Sequence, residues 1–102
     1  MCGISGAYNY LDKEINLKPI IEKIVKLQHN RGPDDNDIWE SKSNEICFGH
    51  NRLAIIDLSK KGRQPFISSD GNFVITFNGE IYNFQEIKKE LIEKKIFFKS
   101  NS

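Results

Sequence analysis

Phe73-Val74-Ile75-Thr76-Phe77, followed at once by Asn78-Gly79-Glu80, is the stretch on which the fold turns. Five consecutive β-branched or aromatic residues fit a pleated, half-buried backbone better than a helix, where the preceding turn restricts their χ1 angles. The pattern predicts a strand over residues 73–77. Asn78-Gly79 then supports two readings. As a type I′ turn it closes a hairpin, because both residues tolerate positive φ. As a functional element, the Asn78 side-chain amide and the Gly79 N–H both point at a developing oxyanion, where one such donor is worth about 3–4 kcal/mol. Glu80 would then hold a substrate ammonium.

Downstream, Asn83 followed by Glu86 is a capping-box-like helix start, and Phe84, Ile87 and Leu91 supply an apolar stripe. Residues 86–95 read as helix, and Ile96-Phe97-Phe98 as the beginning of a strand. A chain stopping three or four residues later ends at a poor domain boundary, so a longer domain is expected.

Upstream, short strands are expected at residues 38–40, 46–50 and 53–56. A polar loop covers 31–37, and a basic loop runs from 58 to 64 before Pro65. Leu17, Ile20, Ile21, Ile24 and Leu27 recur at helical spacing, opposite Glu22, Lys23 and Lys26. Asn16 can cap this helix, Pro19 fits its first turn, and Gly32-Pro33 stops it near His29-Asn30. Residues 4–10 read as a strand, and Asp12-Lys13-Glu14 as a polar turn. The sum is a layered α+β arrangement of strands with two amphipathic helices.

Composition excludes several classes. The 102 residues are 38% hydrophobic and 28% charged, as expected of a folded domain and unlike a disordered chain. Fifteen Lys and Arg against fourteen Asp and Glu leave a net charge of +1, so no electrostatic footprint for nucleic acid or anionic membrane follows. No apolar run approaches the roughly 20 residues of a membrane span. The N-terminus lacks the basic flank and apolar core of a signal peptide, so a cytoplasmic protein is expected. Two cysteines and two histidines give neither a disulfide framework nor zinc-ligand spacing. A domain of this size buries only about 60–65% of its unfolded surface, so its stability margin is thin.

Cys2 is the first residue able to carry chemistry. Removal of Met1 would put a thiol and a free α-amine on one residue. That amine titrates near pH 7.7–8, low enough to act as general base for its own side chain. The competing reading is a small buried apolar residue at a chain end, and Gly3 and Gly6 favour a closely approached backbone instead. Arg52 is either a solvated cation or a bidentate partner for an α-carboxylate. Residues 31–35, Arg-Gly-Pro-Asp-Asp, are either a charged turn or a lid over a small-molecule site. His29, His50 and Cys47 are assigned to structure, and Lys60-Lys61-Gly62-Arg63 to a solvated loop.

Together these motifs resemble the class II, N-terminal-nucleophile glutamine amidotransferases. More narrowly they are similar to the glutaminase domain of glutamine-dependent asparagine synthetases. The carriers are Met1-Cys2-Gly3-Ile4-Ser5-Gly6, Arg31-Gly32-Pro33-Asp34-Asp35, Gly49-His50-Asn51-Arg52-Leu53-Ala54-Ile55-Ile56-Asp57-Leu58, Gln64-Pro65 and Phe77-Asn78-Gly79-Glu80-Ile81-Tyr82-Asn83. The resemblance implies Cys2 as the nucleophile that forms a glutamyl thioester, and Asn78 and Gly79 as the oxyanion hole. It implies Arg52 on the glutamine α-carboxylate, the main chain through Ile55 and Ile56 lining the pocket, and Glu80 at the amino end. The implied fold is an Ntn-hydrolase-like four-layer α/β/β/α sandwich of antiparallel sheets, incomplete in residues 1–102.

No cofactor is implied for the glutaminase domain; ATP and magnesium belong only to a synthetase domain absent from these residues. The implied partners are glutamine and that synthetase domain of the same full-length chain, with a homodimer left open, and neither nucleic acid nor membrane. Two departures stand out. Relatives usually place His directly before Arg-Gly-Pro-Asp, where this chain has Asn30. The chain also stops about where relatives present an Asp for the glutamine amino group. A catalytically idle binding domain, and an amidotransferase with another acceptor, remain as alternatives.

Overall fold

The computed structural model describes residues 1–11 and 14–101. Asp12 and Lys13 of the expected polar turn, like Ser102, lie outside the described residues. Three strands form the main sheet: β1 (Gly3–Tyr8), β2 (Asp35–Glu40) and β3 (Ile46–Arg52). Their spatial order is β1-β3-β2, with β3 antiparallel to both neighbours. The register sets Gly3 against Asn51, Ser5 against Gly49 and Ala7 against Cys47. On the other side Asp35 faces Arg52 and Asp37 faces His50.

Helix α1 (Leu17–Leu27) packs on this sheet. Asn16 caps it as expected, its Oδ1 accepting from the Lys18 N–H at 3.2 Å. The core joins Leu17, Ile21 and Val25 of the helix to Cys47 of β3, with Ala7, Ile24 and Ile38 at its margin. Leu17, Ile21 and Val25 form an i, i+4, i+8 ridge. The expected stripe was rotated: Val25 is buried, while Ile20 is 47% and Leu27 78% exposed. The contact is close because Gly49 has no side chain. A Cβ there would lie 2.5 Å from Ser5 Oγ and 2.8 Å from Ile21 Cγ2.

A second, two-stranded sheet pairs β4 (Phe66–Ile67) with β5 (Val74–Ile75). The strand expected over 73–77 is thus reduced to two residues. The Phe73 carbonyl closes the 68–73 turn by accepting from Ser68 N–H at 3.0 Å. Thr76 and Phe77 leave the ladder: the Thr76 hydroxyl donates to the Gly49 carbonyl at 3.5 Å, and Phe77 N–H donates to the Gln64 side chain. Asn78-Gly79 is not a hairpin turn, since neither residue has the positive φ that a type I′ turn requires.

Helix α2 (Phe84–Glu93) begins at Asn83, whose side chain makes no capping bond, so the expected capping box is absent. No residue of α2 is buried. Residues 96–98 form no strand, and neither do 53–56. In the latter the backbone donors have other acceptors: Leu53 N–H reaches Cys2 Sγ, and Ala54 N–H reaches Asp34 Oδ2 at 2.8 Å.

Candidate active site

Cys2 precedes β1 and lies beside the end of β3, because the antiparallel register carries Gly3 to Asn51 and so Cys2 toward Arg52 and Leu53. The half-buried thiol is bracketed by the main chain of one residue: Leu53 N–H donates to Sγ at 3.3 Å, and Sγ donates to the Leu53 carbonyl at 3.7 Å. Behind it, Arg31 Nε donates to the Cys2 carbonyl at 3.2 Å, and Gln28 Nε2 to the Ile4 carbonyl at 3.3 Å. The residue that ends α1 and the turn after it therefore hold the Cys2–Gly3 and Ile4–Ser5 peptides. Met1 is 71% exposed.

Residues 31–35 are tied down rather than poised as a lid. A single 3-10 turn covers His29–Arg31. Gly32 lies so close to the Asn51–Arg52 backbone that a methyl group would overlap the Asn51 carbonyl. Pro33 bridges to Arg52, and Asp34 N–H donates to the Arg52 carbonyl at 3.0 Å. Asp35 already belongs to β2. Its carboxylate takes a two-pronged bond from Arg63, Nε at 2.9 Å and Nη2 at 3.1 Å. Arg63 was expected to be solvated. Its hydrogen bond holds the Asp35 carboxyl below the ordinary carboxylate range, against a smaller opposing effect of burial.

Arg52 is only 8% exposed and serves the loop that follows it. Nη1 donates to the Ser59 carbonyl at 2.6 Å, and Nη2 to the Asp57 carbonyl. Asp57 turns its carboxylate the other way, accepting from Ser59 N–H at 2.8 Å and from Asn101 N–H at 3.0 Å. Hydrogen bonding by Ser59, then by Asn101, brings its pKa down to about 2. The guanidinium thus shapes residues 53–59, which carry Leu53 to the thiol. Ile55 and Ile56, whose main chain was expected to line the pocket, have exposed side chains.

Asn78 is half-buried, and Gly79 and Glu80 are exposed. No hydrogen bond among the described residues joins them to Cys2. The segment is anchored one residue earlier, where Phe77 N–H donates to Gln64 Oε1 at 2.6 Å. His50, 1% exposed, sits under the same segment, and neither ring nitrogen makes a hydrogen bond of ordinary geometry. Burial pushes its pKa down, with the Phe77 main chain acting in the opposite sense. Burial likewise pushes the Cys47 thiol up and keeps it in the core. Clefts of about 470 and 300 Å³ lie by Ile56 and α2 and by Asp57 and Lys99; Cys2 lines neither. Among the described residues no cluster of His, Cys, Asp and Glu could hold a metal ion, and no helix is long and apolar enough to cross a membrane.

The site brings together Cys2, Arg31, Asp34, Arg52 and Leu53. Residues 28, 31, 34 and 64 went unassigned as individual contributors. Their roles exist only through contacts 13 to 29 positions away, and such contacts leave no periodicity to read. The glutamine amidotransferase domain model matches residues 1–102. The chain belongs to this amidotransferase domain family. It is 34% identical over 93 residues to asparagine synthetase [glutamine-hydrolyzing] 3 of Bacillus subtilis, covering 89% of this chain and 15% of the relative. A putative asparagine synthetase [glutamine-hydrolyzing] 2 of Methanocaldococcus jannaschii is 40% identical over 106 residues, covering 88% of this chain and 20% of the relative. Amidase chry2 of Gibberella zeae is 33% identical over 103 residues, covering 92% and 15%. The chain thus spans a fifth or less of the length of these relatives. No solved structure matches it.

Proposed function

We propose that residues 1–102 are the front part of a glutaminase domain that releases ammonia from glutamine through Cys2. The observation that carries this is the thiol held by the main chain of Leu53 just after β3, backed by Arg31, in a chain matched throughout by an amidotransferase model. In the chain as written the α-amine belongs to Met1, so the mechanism requires that exposed residue to be removed. The freed Cys2 amine then takes the thiol proton, and Sγ attacks the side-chain carbonyl carbon of glutamine. The carbonyl electrons move onto oxygen, where Asn78 and the Gly79 N–H are the assigned donors. Collapse expels the amide nitrogen as ammonia with the proton held by the amine, leaving a glutamyl thioester. Water cleaves the thioester and restores the thiol.

Arg52 is assigned to the glutamine α-carboxylate, Glu80 to its ammonium, and the main chain of Ile55 and Ile56 to the pocket wall. Arg52 meets the carboxylate by exchanging a loop carbonyl for it. The face of the sheet away from α1 would pack on a second sheet in a four-layer α/β/β/α sandwich. By analogy with the synthetase relatives, the ammonia passes to an ATP- and magnesium-dependent domain forming asparagine in the cytoplasm.

The test uses the protein at its full natural length. A glutamine-mimicking diazoketone is expected to modify Cys2 alone, and intact mass to show Met1 absent. Cys2→Ala should lower glutaminase turnover at least about 10³-fold, in line with removal of a covalent nucleophile. Label on another residue, or near-normal turnover by Cys2→Ala, overturns the assignment.

A further inference from the structure

We infer that Gln64 is a positioning residue for the amidotransferase reaction: its side-chain carbonyl fixes the peptide that leads into Asn78 and Gly79. The inference rests on the oxyanion role proposed for those two residues and adds what holds them in place. Gln64 is half-buried, 13 positions before Phe77, and its Oε1 accepts from the Phe77 N–H at 2.6 Å. That N–H would otherwise have paired in the ladder of β5, which ends at Ile75. The side chain thus substitutes for a strand partner and redirects the chain out of the sheet.

Two further contacts show that the redirected segment is held as a unit. The Thr76 hydroxyl donates to the Gly49 carbonyl of β3 at 3.5 Å. The Phe77 ring backs onto Gly79 so closely that a Cβ on that glycine would lie 2.6 Å from the ring. Moving Phe77 therefore moves Gly79. Strand β3 carries Gly49 at one point and Arg52, beside Cys2 and Leu53, three residues on. Thr76 thereby ties the donor segment to the strand that also seats the nucleophile, and Gln64 fixes the next peptide, at Phe77. Donors aimed at a transition-state oxygen lose their effect when displaced by about 1 Å, at a cost of up to about 10²-fold in rate.

The test compares Gln64→Met and Gln64→Glu in the protein at its full natural length, with Asn78→Ala as reference. Methionine keeps length and bulk but offers no oxygen; glutamate keeps an acceptor at the same reach. Gln64→Met is expected to lower kcat for glutamine hydrolysis about 10- to 10²-fold, with KM within about twofold, because an oxyanion bond exists only in the transition state. Gln64→Glu should retain kcat within about threefold of wild type. Alkylation of Cys2 by iodoacetamide, which builds no oxyanion, should proceed at the wild-type rate in both. If Gln64→Met does not fold, Gln64→Asn, one methylene short of Phe77, should show the same loss in kcat alone. Unaltered kcat in the variants without a reaching acceptor, or an equal loss in Gln64→Glu, overturns the inference while Asn78→Ala still shows the oxyanion role. Normal turnover by Asn78→Ala removes the underlying reading and the inference with it.

Discussion

At the scale of the residue, the site depends on side chains that spend their polar groups on backbone. Arg31 holds the Cys2 carbonyl, Arg52 holds two carbonyls of the following loop, and Asp57 accepts two main-chain N–H groups. Each satisfies groups that a loop leaves without a ladder partner. Asp57 gives this arrangement a pH signature. Its folded-state pKa is lowered from 3.8 to about 2, so the carboxylate stabilises the fold fully above pH 4. That contribution is lost as pH falls through the window between those values. Asp35, lowered by Arg63, acts with the same sign. Thermal melts between pH 7 and 2 should therefore show a melting temperature that falls steadily below about pH 4. In Asp57→Asn that fall should be shallower; an identical slope would remove Asp57 from the account.

At the scale of the element, α1 and β3 are the organising pair. The helix was legible because its apolar residues recur at 3.6-residue spacing and Asn16 precedes it. Which side of that stripe is buried was not legible, since the answer depends on the gap at Gly49 that admits the Ile21 and Val25 side chains. Ile21 is completely buried at that contact. Ile21→Ala should cost about 2–5 kcal/mol, measured by urea denaturation, through lost transfer energy and the cavity left behind. Ile20→Ala, on the exposed side, should cost less than about 1 kcal/mol. Equal costs would contradict the rotated stripe. The 73–77 strand failed for a different reason. β propensity describes a residue's fit to a pleated surface, but β4 offers only two residues of ladder, the Gln64 side chain captures the Phe77 N–H, and the Thr76 hydroxyl goes to Gly49 of β3.

At the scale of the whole molecule, burial is uneven. The radius of gyration is 15.0 Å, against about 13 Å for a compact 100-residue domain. The buried hydrophobic core of the described residues is Leu17, Ile21, Val25 and Cys47, whereas Ile4 and Tyr8 of β1, Phe73, and the aromatic Phe97 near the end stand exposed. A core that small contributes little against the entropy of ordering the chain. Residues 1–102 expressed alone are therefore expected to bind the dye ANS and to melt over a broad range with a low calorimetric enthalpy. A sharp two-state transition without dye binding would show that these residues are sufficient.

The linear order of residues determined the family, the helix α1 with its cap, the strands β1 and β3, the second half of β2 and the candidacy of Cys2, because spacing, propensity and short motifs are local properties of a chain; residues 35–37, expected as loop, join β2. Only the tertiary structure decided that residues 31–35 are a pinned buttress behind Cys2, that Arg52 and Arg63 hold loop and strand, and that Asn78-Gly79 lies outside the sheet instead of closing a hairpin. Those outcomes turn on which donor meets which acceptor across tens of residues. A hydrogen bond between distant positions is settled by geometry in space, for which neighbours in sequence carry no signal.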